Sequence, residues 1–358
     1  CYHNSELVVL TIITSIKKHP LIRAVASIII SWCLLEQAGW RGKRGIAFAA
    51  LAQSENAYRH RNSAKKTYTK ATSATSSCDA EAAMVPSVRV VPGNKLFVSE
   101  PNPSWFGNGP NDLNNTSWTN KNWLKSRFHF SFAEYHNQLN SNFGVLRVMN
   151  DDLVQPRRGF GTHSHRDMEI ITYVVHGNLT HKDSMGTEET LGRGSIQFMT
   201  AGTGVRHSEF NGGDIPLRFI QTWVMPSRSS LKPNYGSHVG LSDNRRNNLC
   251  HLVSNAKDKS SSTPTVVNQE IDAYAAELEL GKSVGLNLTD EQQGYLICIE
   301  GEVQVNGEAL VRHDGCEIVG GGQLLIHATK VEETETGEVA HILMFVMKKD
   351  GKGGRGDL

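Results

Sequence analysis

From Val145 to Met347 the chain is written in short apolar runs that Gly, Asn and Asp keep interrupting. VLRVM (145–149), MEIITYVV (168–175), SIQFM (195–199) and LRFIQTWVM (217–225) come first; KSVGLNL (282–288), GYLICI (294–299) and AHILMFVM (340–347) follow. Runs of this length, rich in Val, Ile, Tyr, Phe and Thr and bounded by turn residues, favour β-strands. In EVQVNGEAL (302–310) the pair Asn306-Gly307 separates two alternating runs, a strong signal for a two-residue hairpin. Many short strands with little helical periodicity predict an all-β sandwich or barrel rather than βαβ units. A weak repeat divides the region. Tyr173–Gly177 (YVVHG) precedes Gly194, and Tyr295–Gly301 (YLICIEG) stands in the same relation to Gly315. Two copies of one barrel account for the length better than a single large sheet, with the join in the polar stretch 226–262.

Chemistry concentrates in two segments. In GFGTHSHRDME (159–169), His163 and His165 stand two apart, so a strand would aim both imidazoles at one face. In MTAGTGVRHSEFN (199–211), His207 and Glu209 repeat that spacing just after Gly202 and Gly204, which permit a tight turn. Either pair alone reads as solvated side chains on a polar strand. Together, three neutral imidazoles and one carboxylate make a mixed nitrogen and oxygen donor set suited to a first-row metal, with room left for a further ligand. No cysteine lies near, which argues against a structural zinc site. His327 and His341, single histidines in apolar strands of the second copy, are expected as packed core residues.

The pattern HxHx3E followed by a Gly-rich Hx3N strand resembles the two cupin motifs. GTHSHRDMEIITYVVHG and MTAGTGVRHSE resemble the pirin family more specifically, closest to its bacterial quercetinase-like members. LRVMNDD (146–152), HKDSMG (181–186) and WLKSRFHFSFAEY (123–135) carry the likeness further, and it thins in the C-terminal half. The resemblance implies two tandem cupin jelly-roll barrels, residues 84–232 binding metal and residues 233–350, which carry no HxH pair, metal-free; the Gly-rich end 351–358 is expected as a disordered tail. It also implies one divalent ion, iron(II) foremost and nickel, copper, manganese or zinc as alternatives, held by His163, His165, His207 and Glu209. Glu169, a ligand in many cupins, is expected behind the ligands as a supporting group, or else as a general base. The implied chemistry is opening of a flavonol, or a related enol or catechol, by dioxygen with loss of carbon monoxide, Glu209 taking the hydroxyl proton. The alternative is a non-enzymatic, iron-dependent redox sensor that contacts a transcription factor.

A net charge of +1 gives no excess to hold nucleic acid or an anionic membrane, so neither is expected as a direct partner. The apolar runs at 7–16 and 24–35 are too short to span a bilayer comfortably, and eight Lys/Arg against the single acid Glu55 follow between Arg41 and Ser77. That is targeting-sequence chemistry. Residues 1–83, ahead of the first methionine Met84, read as an organelle-targeting leader or a non-mature extension outside the fold, which leaves a cytoplasmic or organellar location. The six cysteines show no CxxC pair, and free thiols are the expectation.

Overall fold

The computed structural model describes residues 85–349 except 259, so the expected leader and tail lie outside the described residues. Two β-barrels follow one another, each made of a large and a small sheet, antiparallel but for one strand pair. In the first, Asn234–His238, Ile196–Thr200, Glu169–His176, Leu217–Val224, Leu146–Val154, Leu124–Phe128 and Phe97–Ser99 lie side by side in that order. The facing sheet runs Gly159–His165, Val205–Phe210, Leu179–Asp183, Glu188–Leu191. In the second barrel the large sheet runs Ser87–Val91, Gly315–Val319, Gln292–Glu300, Gly337–Lys348, Ile271–Leu278, Cys250–Asn255, Thr265–Val267, with Glu332–Thr334 paired to Gly337–Lys348. The last pair, Cys250–Asn255 with Thr265–Val267, is parallel. The small sheet carries the expected hairpin: Glu302–Val305 and Glu308–Val311 turn back through Asn306 (φ 48°) and Gly307 (φ 91°). Two left-handed residues in succession are what such a turn demands.

The expected boundaries need two corrections. Ser87–Val91, placed by sequence in the first barrel, pairs with Gly315–Val319 of the second, because a five-residue apolar strand completes that sheet's open edge. Asn234–His238, placed beyond the join, pairs with Ile196–Thr200 of the first.

The long apolar runs are explained by burial on both faces. Ile171, Tyr173 and Val175 point out of the first barrel, while Val174 points into it to pack with Leu179 and Phe219. In the second, Tyr295, Ile297, Leu343 and Phe345 point outward; Leu296, Cys298, Ile342 and Met344 fill the interior. The outward sets merge into one core between the large sheets, where each fully buried large side chain contributes roughly 1.5–3 kcal/mol. The repeat tyrosines seal this core reciprocally: Tyr173 Oη meets His341 Nε2 at 2.9 Å, and Tyr295 Oη meets His129 Nδ1 at 2.9 Å. Each reaches a histidine of the other barrel, so the buried hydroxyls are satisfied. Arg193 crosses as well, to Glu277 at 2.8 Å and Glu300 at 2.6 Å. His341 is thus a satisfied core residue, as expected. His327 is only half-buried and bonds Ser283 Oγ at 2.9 Å, because it faces outward from the small sheet. Cys250, Cys298 and Cys316 are free thiols.

Candidate metal centre

The strand pair Gly159–His165 and Val205–Phe210 builds the centre. His163 lies opposite His207 and His165 opposite Val205, but Glu209 lies opposite Phe160. The shift places one extra residue in the first strand, at Gly161–Thr162, a β-bulge. The bulge brings the Gly161 carbonyl to 2.8 Å from His163 Nδ1. A carbonyl only accepts, so Nδ1 carries the proton and Nε2 keeps its lone pair. Ahead of His207, Gly202 (φ 45°) and Gly204 (φ 138°) make the expected turn. A side chain at Gly202 would run into the Leu231 carbonyl, so only glycine fits there.

The imidazoles of His163, His165 and His207 converge, their donor atoms lying within 4.8 Å of one another. His163 Nε2 and His207 Nε2 are 3.0 Å apart. Burial holds all three histidines below the ordinary range, His165 to about 3, and mutual repulsion adds to it for His165 and His207. Neutral imidazoles with lone pairs pointed at one place fit a cation better than a proton shared among them.

Glu209, 2% exposed, faces inward from the same strand as His207. Its Oε2 accepts from Gln221 Nε2 at 2.6 Å; its Oε1 accepts from Gln197 Nε2 at 3.2 Å and Thr172 Oγ1 at 3.4 Å. Burial outweighs the opposing influence of His181 and of these neutral donors, and pushes the carboxyl above its usual range. The three histidines converge, and Glu209 stands beside His207, grouping with His207 and His181 rather than with His163 and His165.

Glu169 does not join them. Its carboxylate, fully buried, accepts from Asn268 N (2.8 Å), Asn268 Nδ2 (2.9 Å), Gln269 N (2.9 Å) and Thr200 Oγ1 (3.1 Å). It faces the second barrel and fastens the bend between the strands Thr265–Val267 and Ile271–Leu278, because backbone N–H groups outside the sheet ladder there need an acceptor.

His181 was missed. It sits in Leu179–Asp183, opposite Glu209, and is fully buried. With His207 and Glu209 it forms a second cluster whose donor atoms lie within 4.8 Å. The alternation of His181 and Asp183 was legible, but without an HxH or HxE pair it carries no metal signature. Beside the cluster lies an aromatic wall: Trp223 meets His165 edge to face at 4.7 Å, and Phe132 meets Trp223 at 5.2 Å. Trp223 Nε1 donates to Gln221 Oε1 at 3.2 Å, tying the wall to the amide that holds Glu209.

Comparison with known proteins accounts for both barrels. Residues 112–224 match the Pirin family, and residues 252–339 match the quercetinase C-terminal cupin domain. A pirin-like protein of Caulobacter vibrioides is 37% identical over 60% of this chain and 90% of its own length. The chain belongs to the pirin family. It is a bicupin, as its two jelly-roll barrels require. A quercetin 2,3-dioxygenase of Escherichia coli K12 is 35% identical over 62% of this chain and 93% of that one. The crystal structure of a bacterial pirin, YhhW of Escherichia coli, in complex with nickel(II) aligns with a TM-score of 0.59 at 28% identity, over 73% of this chain and 99% of that one.

Proposed function

We propose that this chain is a metal-dependent dioxygenase of the quercetin 2,3-dioxygenase type, opening a flavonol or a related enol or catechol. His163, His165, His207 and Glu209 would hold one divalent ion, iron(II) in the working protein. The observation that carries the reading is the convergence of three neutral imidazoles, two of them 3.0 Å apart, beside a buried carboxylate. The nickel complex of one relative and the dioxygenase name of another support it. A bound metal ion supplies Lewis acidity to a coordinated hydroxyl and a meeting place for dioxygen.

The side chains do the rest. Glu209, its pKa raised by burial, is suited to take the proton of the substrate hydroxyl at neutral pH. Gln197 and Gln221 each donate to one of its oxygens, so the orientation of the carboxylate is fixed before substrate arrives. The faces of Trp223 and Phe132, beside His165, offer a flat aromatic ring a surface. That apolar wall favours turnover of an aromatic substrate over a purely sensory role.

The test is oxygen uptake by anaerobically prepared, iron(II)-loaded protein on addition of quercetin, with His163→Ala as control. Uptake that needs the metal and vanishes in the variant is expected. Tight binding of one iron without uptake would remove the flavonol reading and favour a redox sensor.

A further inference from the structure

His181 and Asp183 have no part in the chemistry above, yet both side chains are shut off from solvent, at 1% and 0% exposure. Asp183 Oδ1 accepts from Met185 N at 2.8 Å and Thr187 N at 3.1 Å, and Oδ2 lies 3.0 Å from His181 Nε2. A carboxylate only accepts, so His181 Nε2 must be the protonated nitrogen and Nδ1 must carry the lone pair. That lone pair faces His207 Nδ1 at 3.5 Å, the outer limit of a hydrogen bond. His207 Nδ1 therefore donates, and its Nε2, the atom 3.0 Å from His163 Nε2, is left bare. Tyr235 stacks on His181 (centroids 4.6 Å apart, 22° between planes), and its hydroxyl is anchored at Glu189, 2.9 Å away. Tyr235 thus covers one face of the ring, and the bond to Asp183 favours the orientation in which Nε2 points at the carboxylate.

We propose that Asp183 and His181 form a hydrogen-bonded relay that selects the tautomer of His207 and so makes it an Nε2 ligand. The relay rests on the metal reading above. Asp183 and His181 are positioning residues, acting through His207. The carboxylate anchored by two backbone N–H groups sets the direction, and each imidazole hands it on. Partners of this kind orient ligating histidines and raise their basicity, and losing one typically costs 10–100-fold in metal affinity.

Asp183→Asn gives a sharp test. Its amide oxygen would keep the Met185 and Thr187 bonds, which turns the amide NH2 toward His181 Nε2. His181 would then protonate at Nδ1 and force His207 to the wrong tautomer. Nickel(II) titrated calorimetrically into the metal-free full chain should bind the wild type once, and Asp183→Asn about 10–100-fold more weakly. His181→Asn places an amide oxygen near the former Nδ1, and should stay within about threefold of wild type. In the double variant Asp183→Asn/His181→Asn the Asp183 effect should vanish, since the cycle reports coupling through His181. Unaltered affinity in Asp183→Asn would overturn the relay. So would a double variant as weak as Asp183→Asn, or a second nickel lost on changing His181. Failure of the wild type to bind nickel would instead remove the metal reading. If Asp183→Asn does not fold, His181→Phe against His181→Asn decides: equal affinity in the two sinks the relay.

Discussion

Replacing Glu169 by Gln separates two roles that the sequence alone leaves joined. Glu169 Oε1 accepts three bonds, from Asn268 N, Asn268 Nδ2 and Thr200 Oγ1, whereas Oε2 accepts one, from Gln269 N. The glutamine oxygen would take the three-donor position, which sets its NH2 against the Gln269 N–H. One bond to a charged group is lost, about 1.5–3 kcal/mol, and a buried donor is left unmet at about 1–3 kcal/mol. The remaining three bonds lose their ionic character, and relief of the buried charge offsets part of the loss. A net destabilisation of about 2–4 kcal/mol follows, which for a body of this size lowers Tm by roughly 5–10 °C. Thermal and urea unfolding of the metal-free variant would measure it, alongside nickel(II) titration. The reasoning further requires nickel affinity within about twofold of wild type, because no bond of Glu169 reaches a candidate ligand. A Tm shift below about 2 °C, or a loss of affinity beyond about fivefold, would refute the clamp and restore Glu169 to the metal centre.

Glu209→Gln removes the anionic donor and should weaken nickel(II) at least about 10-fold by calorimetry. Its metal-free Tm should change by no more than a few degrees, because relief of the buried charge offsets the donor that the new amide NH2 cannot accept. Trp223→Ala should weaken quercetin binding to the nickel-loaded protein about 10-fold, and Trp223→Phe by at most about threefold, read from tight-binding absorbance titrations; equal affinities would dismiss the aromatic wall. The metal-free protein should lose stability as pH falls below about 6.5, the unfolded histidine pKa. Burial depresses His163, His165, His207, His313 and His341 in the fold, so the unfolded chain takes up protons first. Asp152, pushed up to about 8 by burial and then by the Asp151 and Glu209 carboxylates, and Glu209, raised by burial, work the other way but are outnumbered. Below about 4.5 the loss steepens as Glu277 and Glu300 surrender pKa values depressed, against burial, by His341 and Arg193. Urea midpoints at pH 7.5, 5.5 and 4.5 should fall in that order, and a flat series would contradict the assignments.

The parts of this molecule legible from sequence are those set by local rules. Alternation on a strand placed His163 with His165 and His207 with Glu209, and Asn306-Gly307 fixed its hairpin. Pairing between distant strands left no comparable trace. Nothing in SVRVV (87–91) says that its partner is Gly315–Val319, because any open edge of matching length would accept it. Glu169, expected behind the ligands as a supporting group or else as a general base, lies elsewhere for a related reason. Its spacing from the histidines is a ligand's spacing, but the donors its carboxylate meets are decided by which backbone N–H groups the second barrel brings opposite. His181 went unread because its metal-side role depends on a neighbour, His207, that only the fold supplies.

The strand Ser87–Val91 has a consequence for how the chain is made. Arg89 and its ion-pair partner Glu317 are 228 residues apart. At ribosomal speeds of about 5–20 residues per second, the leading strand waits roughly 10–50 s for its mate to emerge. Until then the second barrel lacks its closing edge and VRVV has no lawful neighbour, a stretch of time in which a chaperone is useful and a stray edge is dangerous. Gly93 adds a further late tie, its N–H donating to Asp314 Oδ1 at 2.6 Å. The barrel translated second thus holds the thread with which the first was begun, and a fragment meant to carry the metal centre alone would be cut after Val91.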